Sequence, residues 1–538
     1  MNELTHMKRI LSLSIIFFGF TYAAAQDLYL VKLKPKENTS SFLLNPLQML
    51  SQRSLDRREK YTISINEEDV PISEYRINQI KKLALNYIGH TKWLNSVMVE
   101  ISNEEVLNEL TALNFVESAE TMVRNSLPKT SLKNQSKWKD LINESEKYNY
   151  GYAEEFINQI NLKPLHENNI LGQGVLIAVI DAGFPGVDKI AAFDILRKEN
   201  RILDTYDFVD KKKQVYDADR HGTMVLSTMA AEIGGSYVGT APKATYSLYR
   251  SEDNNSETPK ELMYWIQAAE RADSIGSDVI NTSLGYYAFD DARYDYTFDN
   301  MDGKTTLISK GAEVAANKGI FVVVAAGNEG DSSWKRISAP ADVKNVFSIG
   351  ANDSYKKPAG FSSFGPNALG EIKPNVSALG QYIVVYMPDG NLTYSNGTSF
   401  ASPVSAGAVA LMIQQFPKVA HEVLKQNIQQ SAHLFSSPSD QLGYGVPNYY
   451  MASQELLKTN EIENTNAIKI YPNPFKEVMN VQSKEQIKKI ELYNLIGQKI
   501  ISINNQNSIS TNQLKSGIYL INITDSKGNI LIEKVVKK

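Results

Sequence analysis

The sequence predicts an α/β protein whose central region, residues 149–455, forms a mostly parallel sheet with helices on both faces. Four apolar runs rich in β-branched residues support this prediction, and helical segments separate them: "GVLIAVID", "DVINTSLG", "IFVVVAAGN" and "VFSIGAN". Near-continuous apolar strands are typical of parallel sheets that are buried on both faces. In such sheets ligands bind beyond the carboxyl ends of the strands, so the residues that follow these runs are the candidates for function.

Two smaller modules flank the central region. Residues 26–124 contain short strands and a capped helical period in "SNEEVLNELTAL", which predicts a small α+β module. Residues 456–538 contain short alternating strands such as "IKIYPNPF" and "GIYLINITDSKGNILIEKVVKK", which predicts a small β-sandwich. Residues 125–148 are polar and lack apolar periodicity, so we expect an exposed linker there.

The first residues have the pattern of an export signal. Lys8 and Arg9 precede the apolar run 10–22, and three alanines at 23–25 supply a cleavage site of small residues. A membrane anchor is the alternative interpretation, but the apolar run is short for a bilayer span. We therefore expect residues 1–25 to be a signal peptide.

Composition excludes several classes of function. The 538 residues carry a net charge of -4, which provides no basic field for nucleic acid, so we expect no nucleic-acid partner. The chain has no cysteine, which excludes both disulfides and thiol chemistry. We also expect a monomer.

A serine, a histidine and an aspartate occur where a catalytic triad would need them. Ser399 lies among small residues in "NGTSFASP", at the start of a long apolar run. His221 opens a helix of small residues, where Gly222 allows another backbone to come close, and Asp181 ends the run "VLIAVID". A serine hydroxyl becomes a nucleophile when an imidazole takes its proton and a carboxylate orients the imidazole. The ordinary alternatives are an N-cap serine, a histidine at a helix start and an aspartate that caps a turn.

The remaining histidines lack this context. His6 lies in or before the predicted signal, and we expect the other four to be surface or capping residues: His90, His166, His421 and His433.

Acyl transfer also needs hydrogen-bond donors for an oxyanion. Asn328 follows the buried run "VVVAAG", and the backbone N–H of Ser399 lies at a predicted helix N-terminus. These two donors form the candidate oxyanion hole. Asn328 also has an ordinary interpretation, as a residue needed only for its backbone in a glycine-rich turn.

Four motifs in chain order, "AVIDAGF", "HGT", "AAGNEG" and "GTSFASP", resemble those of the subtilisin-like serine proteases. The resemblance implies that Asp181 orients His221, that His221 is general base and then general acid, and that Ser399 attacks the substrate. It implies that Asn328 stabilises the oxyanion. It also implies two segments that bind an extended substrate: Ser283, Leu284 and Gly285, and Ala325, Ala326 and Gly327.

The sequence departs from the family pattern directly after Asp181, and Met224 and Phe400 also differ from the common choices at their positions. Ala182 follows Asp181 where subtilases commonly have a hydroxyl residue, so we expect a tuned but active site. The segment "YYAFDDARYDYTFDNMDGK", residues 286–304, is here called the insert. A solvated surface loop is the interpretation we favour for it, and a role in specificity is the alternative.

The family's calcium sites cannot be transferred, because no acidic cluster has convincing ligand spacing. We expect no cofactor for the chemistry and leave structural calcium open.

The flanking modules resemble known companions of subtilases. Residues 26–124 resemble a subtilase propeptide, which implies an intramolecular inhibitor that is later removed. Residues 456–538, with "YPNPF" and "ELYNLIGQKI", resemble the C-terminal sorting domain of type IX secretion substrates. Together they imply a secreted or cell-surface endopeptidase that enters the periplasm by its signal peptide and then meets the type IX secretion machinery. The alternatives are a catalytically inactive subtilase-fold binding protein and a glycan-binding C-terminal sandwich.

Overall fold

A computed structural model describes residues 27–124, 150–483, 485–494, 497–528 and 530–538. The predicted signal peptide (residues 1–25) and the predicted linker (residues 125–148) therefore lie outside the described residues.

The N-terminal module is an antiparallel sheet of four strands in the order β2-β3-β1-β4, with helices beside it. Its core contains Val31, Ile80, Val97 and Leu110. The predicted capped helix is present as α4, where the Asn103 side chain accepts a hydrogen bond from the Val106 N–H. The elements are β1 (Asp27–Leu33), α1 (Thr39–Leu44), α2 (Gln52–Lys60), α3 (Glu74–Leu83), β2 (Asn86–Thr91), β3 (Ser96–Ile101), α4 (Glu104–Thr111) and β4 (Val116–Thr121).

The central domain contains the predicted parallel sheet, with seven strands in the order β13-β12-β11-β10-β5-β9-β6. The four apolar runs of the sequence form the adjacent strands β5, β10, β11 and β12. The strands of the domain are β5 (Leu176–Asp181), β6 (Ile202–Asp207), β7 (Glu232–Ile233), β8 (Tyr237–Val238), β9 (Thr245–Arg250), β10 (Val279–Thr282), β11 (Phe321–Ala325), β12 (Phe347–Asn352), β13 (Val376–Leu379), β14 (Ile383–Tyr386) and β15 (Leu392–Ser395).

Helices cover both faces of this sheet. They are α5 (Glu154–Gln159), α6 (Lys163–Glu167), α7 (Asp194–Lys198), α8 (His221–Ala230), α9 (Lys260–Ile275), α10 (Leu307–Asn317), α11 (Thr398–Gln415), α12 (His421–Gln430) and α13 (Tyr449–Ala467). Alternate residues of β5 enter two different cores: Ile177 and Val179 pack with α8 and α11, whereas Ala178 and Ile180 pack with α9 and α10. This two-sided burial explains why the strands are apolar throughout.

The N-terminal module packs against α9 and α10. Its apolar residues Leu28, Ile88, Trp93 and Met98 belong to the same core cluster as these two helices.

The C-terminal region consists of two antiparallel sheets, in the orders β16-β17-β20 and β19-β18-β21-β22. Both sheets contribute to one core that includes Met479, Ile490, Ile521 and Val535, which is the arrangement of a β-sandwich. The strands are β16 (Ile468–Tyr471), β17 (Val478–Ser483), β18 (Ile487–Tyr493), β19 (Lys499–Asn504), β20 (Ser508–Ser510), β21 (Gly517–Asp525) and β22 (Ile530–Lys537). Within the described ranges, every helix is too short or too polar to cross a bilayer.

The interpretation of the insert as a solvated loop is wrong. Four of its aromatic side chains are at most 8% exposed and pack with α9 and α10: Tyr286, Phe289, Tyr294 and Tyr296. The acidic residues between them made the segment look polar, but those residues lie at or near the surface while the aromatic rings point inward. The hydroxyl of Tyr286 donates to Glu252, so its buried polar atom has a partner.

Candidate active site

Asp181 and His221 meet at the carboxyl edge of the sheet. Asp181 is the last residue of β5 and is fully buried, and His221 is the first residue of α8. The Nδ1 atom of His221 lies 2.7 Å from Asp181 Oδ1. Because a carboxylate accepts hydrogen bonds, Nδ1 carries the proton, which leaves Nε2 as the acceptor of the neutral ring.

Gly222 allows α8 to begin against the end of β5. A Cβ atom at position 222 would lie 2.4 Å from the Gly183 carbonyl oxygen and 3.1 Å from the Asp181 Cβ. No side chain fits there without displacing the helix. The close approach expected from the "HGT" motif is therefore present.

The environment of His221 favours its protonated form. Burial by itself lowers the pKa of the imidazole, but the charge of Asp181 and its hydrogen bond outweigh burial and raise the pKa above the usual value of 6.5. Glu252 is a further carboxyl group whose charge raises the pKa of His221.

One oxygen of Asp181 lacks support. Its Oδ1 atom also accepts a hydrogen bond of 2.8 Å from the Ala182 N–H. Its Oδ2 atom is buried and has no hydrogen-bond partner among the described residues.

Ser399 lies at the N-terminus of α11, which packs against α8, and is 7% exposed. The ring of the next residue, Phe400, has its centroid 5.7 Å from that of His221. The Ser399 hydroxyl donates a hydrogen bond of 3.3 Å to the Ser283 carbonyl oxygen. Among the described residues, no hydrogen bond joins Ser399 to His221. Catalytic hydrogen bonds are often long in the absence of substrate, and rotation about the serine χ1 angle can redirect the hydroxyl.

Thr398 fixes the orientation of Asn328. The N–H of Thr398 donates to Asn328 Oδ1 at 2.8 Å, and its hydroxyl donates to the same oxygen at 3.0 Å. The Gly327 N–H donates to that hydroxyl at 3.2 Å. With its carbonyl oxygen held in this way, Asn328 has its amide group available as a donor. The Ser399 N–H donates to none of the described residues, so it too is available.

The sequence reasoning missed Thr398 as a positioning residue. Its position directly before Ser399 in "GTS" was the available signal, but nothing in a single sequence showed that Asn328 would be its partner 70 residues away.

The six residues expected to bind substrate lie at the ends of neighbouring strands. Ser283, Leu284 and Gly285 follow β10, whereas Ala325, Ala326 and Gly327 form the end of β11 and the turn after it. Ser338, which the sequence reasoning also missed, lies between the two segments. Its hydroxyl oxygen would be 2.2 Å from a Cβ atom at Gly285 and 2.9 Å from one at Gly327. A side chain at Gly285 would therefore displace the Ser338 hydroxyl, and one at Gly327 would also meet the Ser363 hydroxyl at 2.7 Å.

Comparison with known proteins agrees with this geometry. The model of the Subtilase family matches residues 172–446, which is just over half of the chain. Subtilisin NAT of Bacillus subtilis subsp. natto is 32% identical over 303 residues, 55% of this chain and 70% of that protein. The chain belongs to the subtilase family.

Other relatives are serine proteases as well. Subtilisin of Bacillus pumilus is 31% identical over 303 residues, which cover 55% of this subtilase and 98% of that protein. The thermophilic serine proteinase of Bacillus sp. (strain AK1) is 34% identical over 286 residues, and the match covers 52% of this chain and 61% of that relative. Among solved structures, the MycP3 protease from the type VII (ESX-3) secretion system covers 56% of this chain at 23% identity, with a TM-score of 0.45.

Both flanking modules also match family models. Residues 28–139 match the peptidase S8 propeptide domain of Bacteroidota, and residues 469–538 match a secretion system C-terminal sorting domain. The subtilase therefore carries a propeptide domain before its catalytic domain and a sorting domain after it.

Three carboxyl groups near the dyad could in principle hold a metal ion. Oxygen atoms of Glu252, Glu257 and Glu261 lie within 4.8 Å of one another. The sequence did not reveal this cluster, because two of its members lie in the irregular loop between β9 and α9. Burial raises the pKa of Glu252 to about 7 and that of Glu261 to about 9.

The cluster is held together by hydrogen bonds. Glu252 accepts from the hydroxyls of Tyr286 and Ser251. Glu261 accepts from the Asp253 N–H at 3.0 Å and from the Thr258 N–H at 2.8 Å. Burial favours the protonated forms of Glu252 and Glu261, and protein donors already occupy oxygen atoms of both groups.

The expectation for the histidines outside the dyad is wrong for His166. It is fully buried, with Tyr150 Oη and the Thr240 carbonyl oxygen each 3.1 Å from a ring nitrogen. Burial lowers its pKa to about 4, so it is a neutral core histidine.

Proposed function

We propose that this subtilase is a secreted serine endopeptidase that hydrolyses peptide bonds through Asp181, His221 and Ser399. The observation that carries the proposal is the hydrogen bond of 2.7 Å between His221 and the fully buried Asp181, at the sheet edge where α11 begins with Thr398 and Ser399. This bond gives the imidazole the tautomer that a general base requires.

The reaction follows from the available donors and acceptors. His221 Nε2 accepts the Ser399 proton as the hydroxyl attacks the substrate carbonyl, and Asp181 stabilises the imidazolium that forms. The Asn328 amide group and the Ser399 N–H stabilise the oxyanion. His221 then donates the proton to the leaving amine, and water hydrolyses the acyl-enzyme by the reverse sequence. No step of this chemistry calls for a cofactor.

Substrate binding uses the two segments at the carboxyl edge. An extended peptide pairs with backbone groups of Ser283–Gly285 and Ala325–Gly327, so recognition of its backbone gives affinity and the side-chain pocket gives selectivity. Protein and peptide substrates are the class that fits this arrangement.

We further propose that the chain is a self-processing zymogen that acts as a monomer and whose propeptide domain inhibits it until cleavage. The sorting domain supports export or attachment at the cell surface, for which we propose the route of a signal peptide into the periplasm followed by type IX secretion. The paired dyad and the oriented Asn328 favour this function over an inactive subtilase-fold binding protein.

Intact mass spectrometry over time tests the proposal on purified chain that lacks residues 1–25. Wild type is expected to release a fragment that ends between about Arg124 and Tyr150, whereas Ser399→Ala stays whole because its nucleophile is gone. Ser405→Ala, which changes another buried serine of α11, is the matched control and should process like wild type.

Two results would contradict the proposal. Processing of Ser399→Ala at the wild-type rate would remove Ser399 from the mechanism. An unprocessed wild type that no fluorophosphonate labels would favour the inactive binding protein.

A further inference from the structure

The insert contacts both chain ends of the propeptide domain. Strands β1 and β4 are antiparallel neighbours, so the start of β1 and the residues after β4 lie side by side. The Met122 N–H donates to the Leu28 carbonyl oxygen at 2.8 Å, which extends this pairing beyond the end of β4. The insert therefore faces one composite edge made of residues 27–28 and 122–124.

Arg293 of the insert makes polar contacts with both parts of this edge. Its guanidinium group lies 2.8 Å from Asp27 Oδ1, and its carbonyl oxygen accepts a hydrogen bond from the Arg124 N–H. Asp291 holds the same guanidinium group with hydrogen bonds of 2.7–3.1 Å, so Arg293 is positioned by the insert itself. A positioned guanidinium loses little conformational freedom when it pairs with Asp27.

Aromatic residues of the insert complete the contact. The Tyr294 hydroxyl accepts a hydrogen bond of 3.1 Å from the Leu28 N–H. The Arg124 guanidinium carbon lies 4.6 Å from the centroid of the Tyr296 ring, which is cation–π geometry. Leu28 and Met122 are buried in the apolar cluster that also contains Tyr294 and Tyr296. Polar, cation–π and apolar contacts thus all involve the composite edge of residues 27–28 and 122–124.

The insert also forms hydrogen bonds with Glu252 and Glu257, which lie near the Asp181–His221 dyad. Asp290 and Glu257 exchange hydrogen bonds of 2.9 Å in both directions, and the Tyr286 hydroxyl donates to Glu252. Glu252 is one of three carboxyl groups whose charges act on His221, together with Asp181 and Asp219. The insert therefore joins the edge of the propeptide domain to the surroundings of the dyad.

We propose that the insert is a clamp for the propeptide domain, and that it binds the segment Met122–Arg124 together with the start of β1. The kind of ligand that it fits is an extended strand in which an apolar residue stands two positions before an arginine. The clamp fixes the residues from which the chain continues toward the catalytic domain. It goes beyond the proposed function and does not depend on Ser399 as the nucleophile.

Hydrogen–deuterium exchange of the full chain carrying Ser399→Ala tests the clamp, since that chain reports docking without turnover. Adding Arg293→Ala is expected to speed amide exchange in residues 27–33 and 116–124 by roughly tenfold. The reason is that the substitution removes the charge-assisted bond between Arg293 and Asp27 at the start of β1, which pairs with β4. Exchange in α2, which contacts α9 and not the insert, is expected to stay unchanged. Lys304→Ala, at an exposed position of the same insert, is the matched control.

Arg124→Ala alters the same contact from the propeptide domain. It is the variant to use if Arg293→Ala disturbs the fold of the insert. It is expected to accelerate exchange in the same two segments. Unchanged exchange in these segments would overturn the clamp, and so would an equal acceleration across the whole propeptide domain including α2. Either result would leave the catalytic proposal untouched, because the tested chain is inactive by design.

Discussion

At the scale of single residues, the pKa of His221 depends on the carboxyl groups around it. Asp181 raises that pKa through its charge and hydrogen bond, and the charges of Asp219 and then of the buried Glu252 add smaller effects. Since the neutral imidazole is the general base, activity is lost as pH falls through this raised pKa.

Replacing Glu252 tests this electrostatic account. Glu252→Gln removes a negative charge that favours the imidazolium, so the acid limb of the kcat/KM profile should move to lower pH. The shift should stay below about one pH unit, because burial raises the pKa of Glu252 to about 7 and the group is partly protonated at the acid limb. Asp299→Asn, an exposed carboxylate of the insert, is the control. A limb that stays in place or moves upward would contradict the account.

The proposed catalytic residues could be located in the sequence because each lies in a short motif with its own physical reason. Asp181 ends an apolar strand, and Gly222 marks a close backbone approach that the structure contains. Thr398 and Ser338 could not be found in this way, because their roles come from contacts with glycines and an asparagine that lie far away in the sequence. Ala182 was recognised as a departure from the family pattern, whereas the unpartnered state of Asp181 Oδ2 among the described residues is visible only in the structure.

At the scale of elements, charged groups connect α2 of the propeptide domain to α9 of the catalytic domain. Arg57 and Arg58 are buried and both pair with Asp273 of α9, and Arg58 also pairs with Asp69 at 3.0 Å. Buried guanidinium groups depend on such partners, because removing one carboxylate leaves a charge without compensation.

Asp273→Asn should therefore destabilise the docked propeptide domain. In the full chain carrying Ser399→Ala, we expect the free energy of unfolding of this domain to fall by about 3–5 kcal/mol, measured by urea denaturation. Asp56→Asn changes an exposed carboxylate on α2 and should have little effect. Equal stability of the two variants would show that the ion pairs contribute nothing to docking.

At this scale the positions of the central strands could be predicted from the sequence, whereas the burial of the insert could not. Burial on both faces makes β5, β10, β11 and β12 apolar throughout, which a sequence displays directly. In the insert, acidic and aromatic residues alternate irregularly, and its aromatic side chains are buried by α9, α10 and the propeptide domain. Nothing local in the sequence reveals these partners.

At the scale of the whole molecule, the C-terminal sandwich has a hydrophobic core of its own. The core of the C-terminal sandwich contains residues between Ile468 and Val535, whereas one core of the central sheet ends at Leu456 and the other at Val346. The described residues of the sorting domain therefore lie outside the two cores that position the proposed catalytic residues.

Deleting residues 469–538 should abolish export and leave hydrolysis unchanged. The measurements are the location of the protein in a host with type IX secretion and the specific activity of the purified truncated chain. A truncated chain that is folded and processed but inactive would show that the sandwich contributes to catalysis.

The most direct test of the central claim is to locate the adduct of a fluorophosphonate on the processed wild-type protein by peptide mass spectrometry. Ser399 and Ser283 each place a hydroxyl next to the other's carbonyl oxygen, so the two serines are the nearest alternatives for labelling. The account predicts one adduct, on Ser399, and its loss in His221→Ala. An adduct on Ser283, or labelling of Ser399 that persists without His221, would contradict the proposed nucleophile and base.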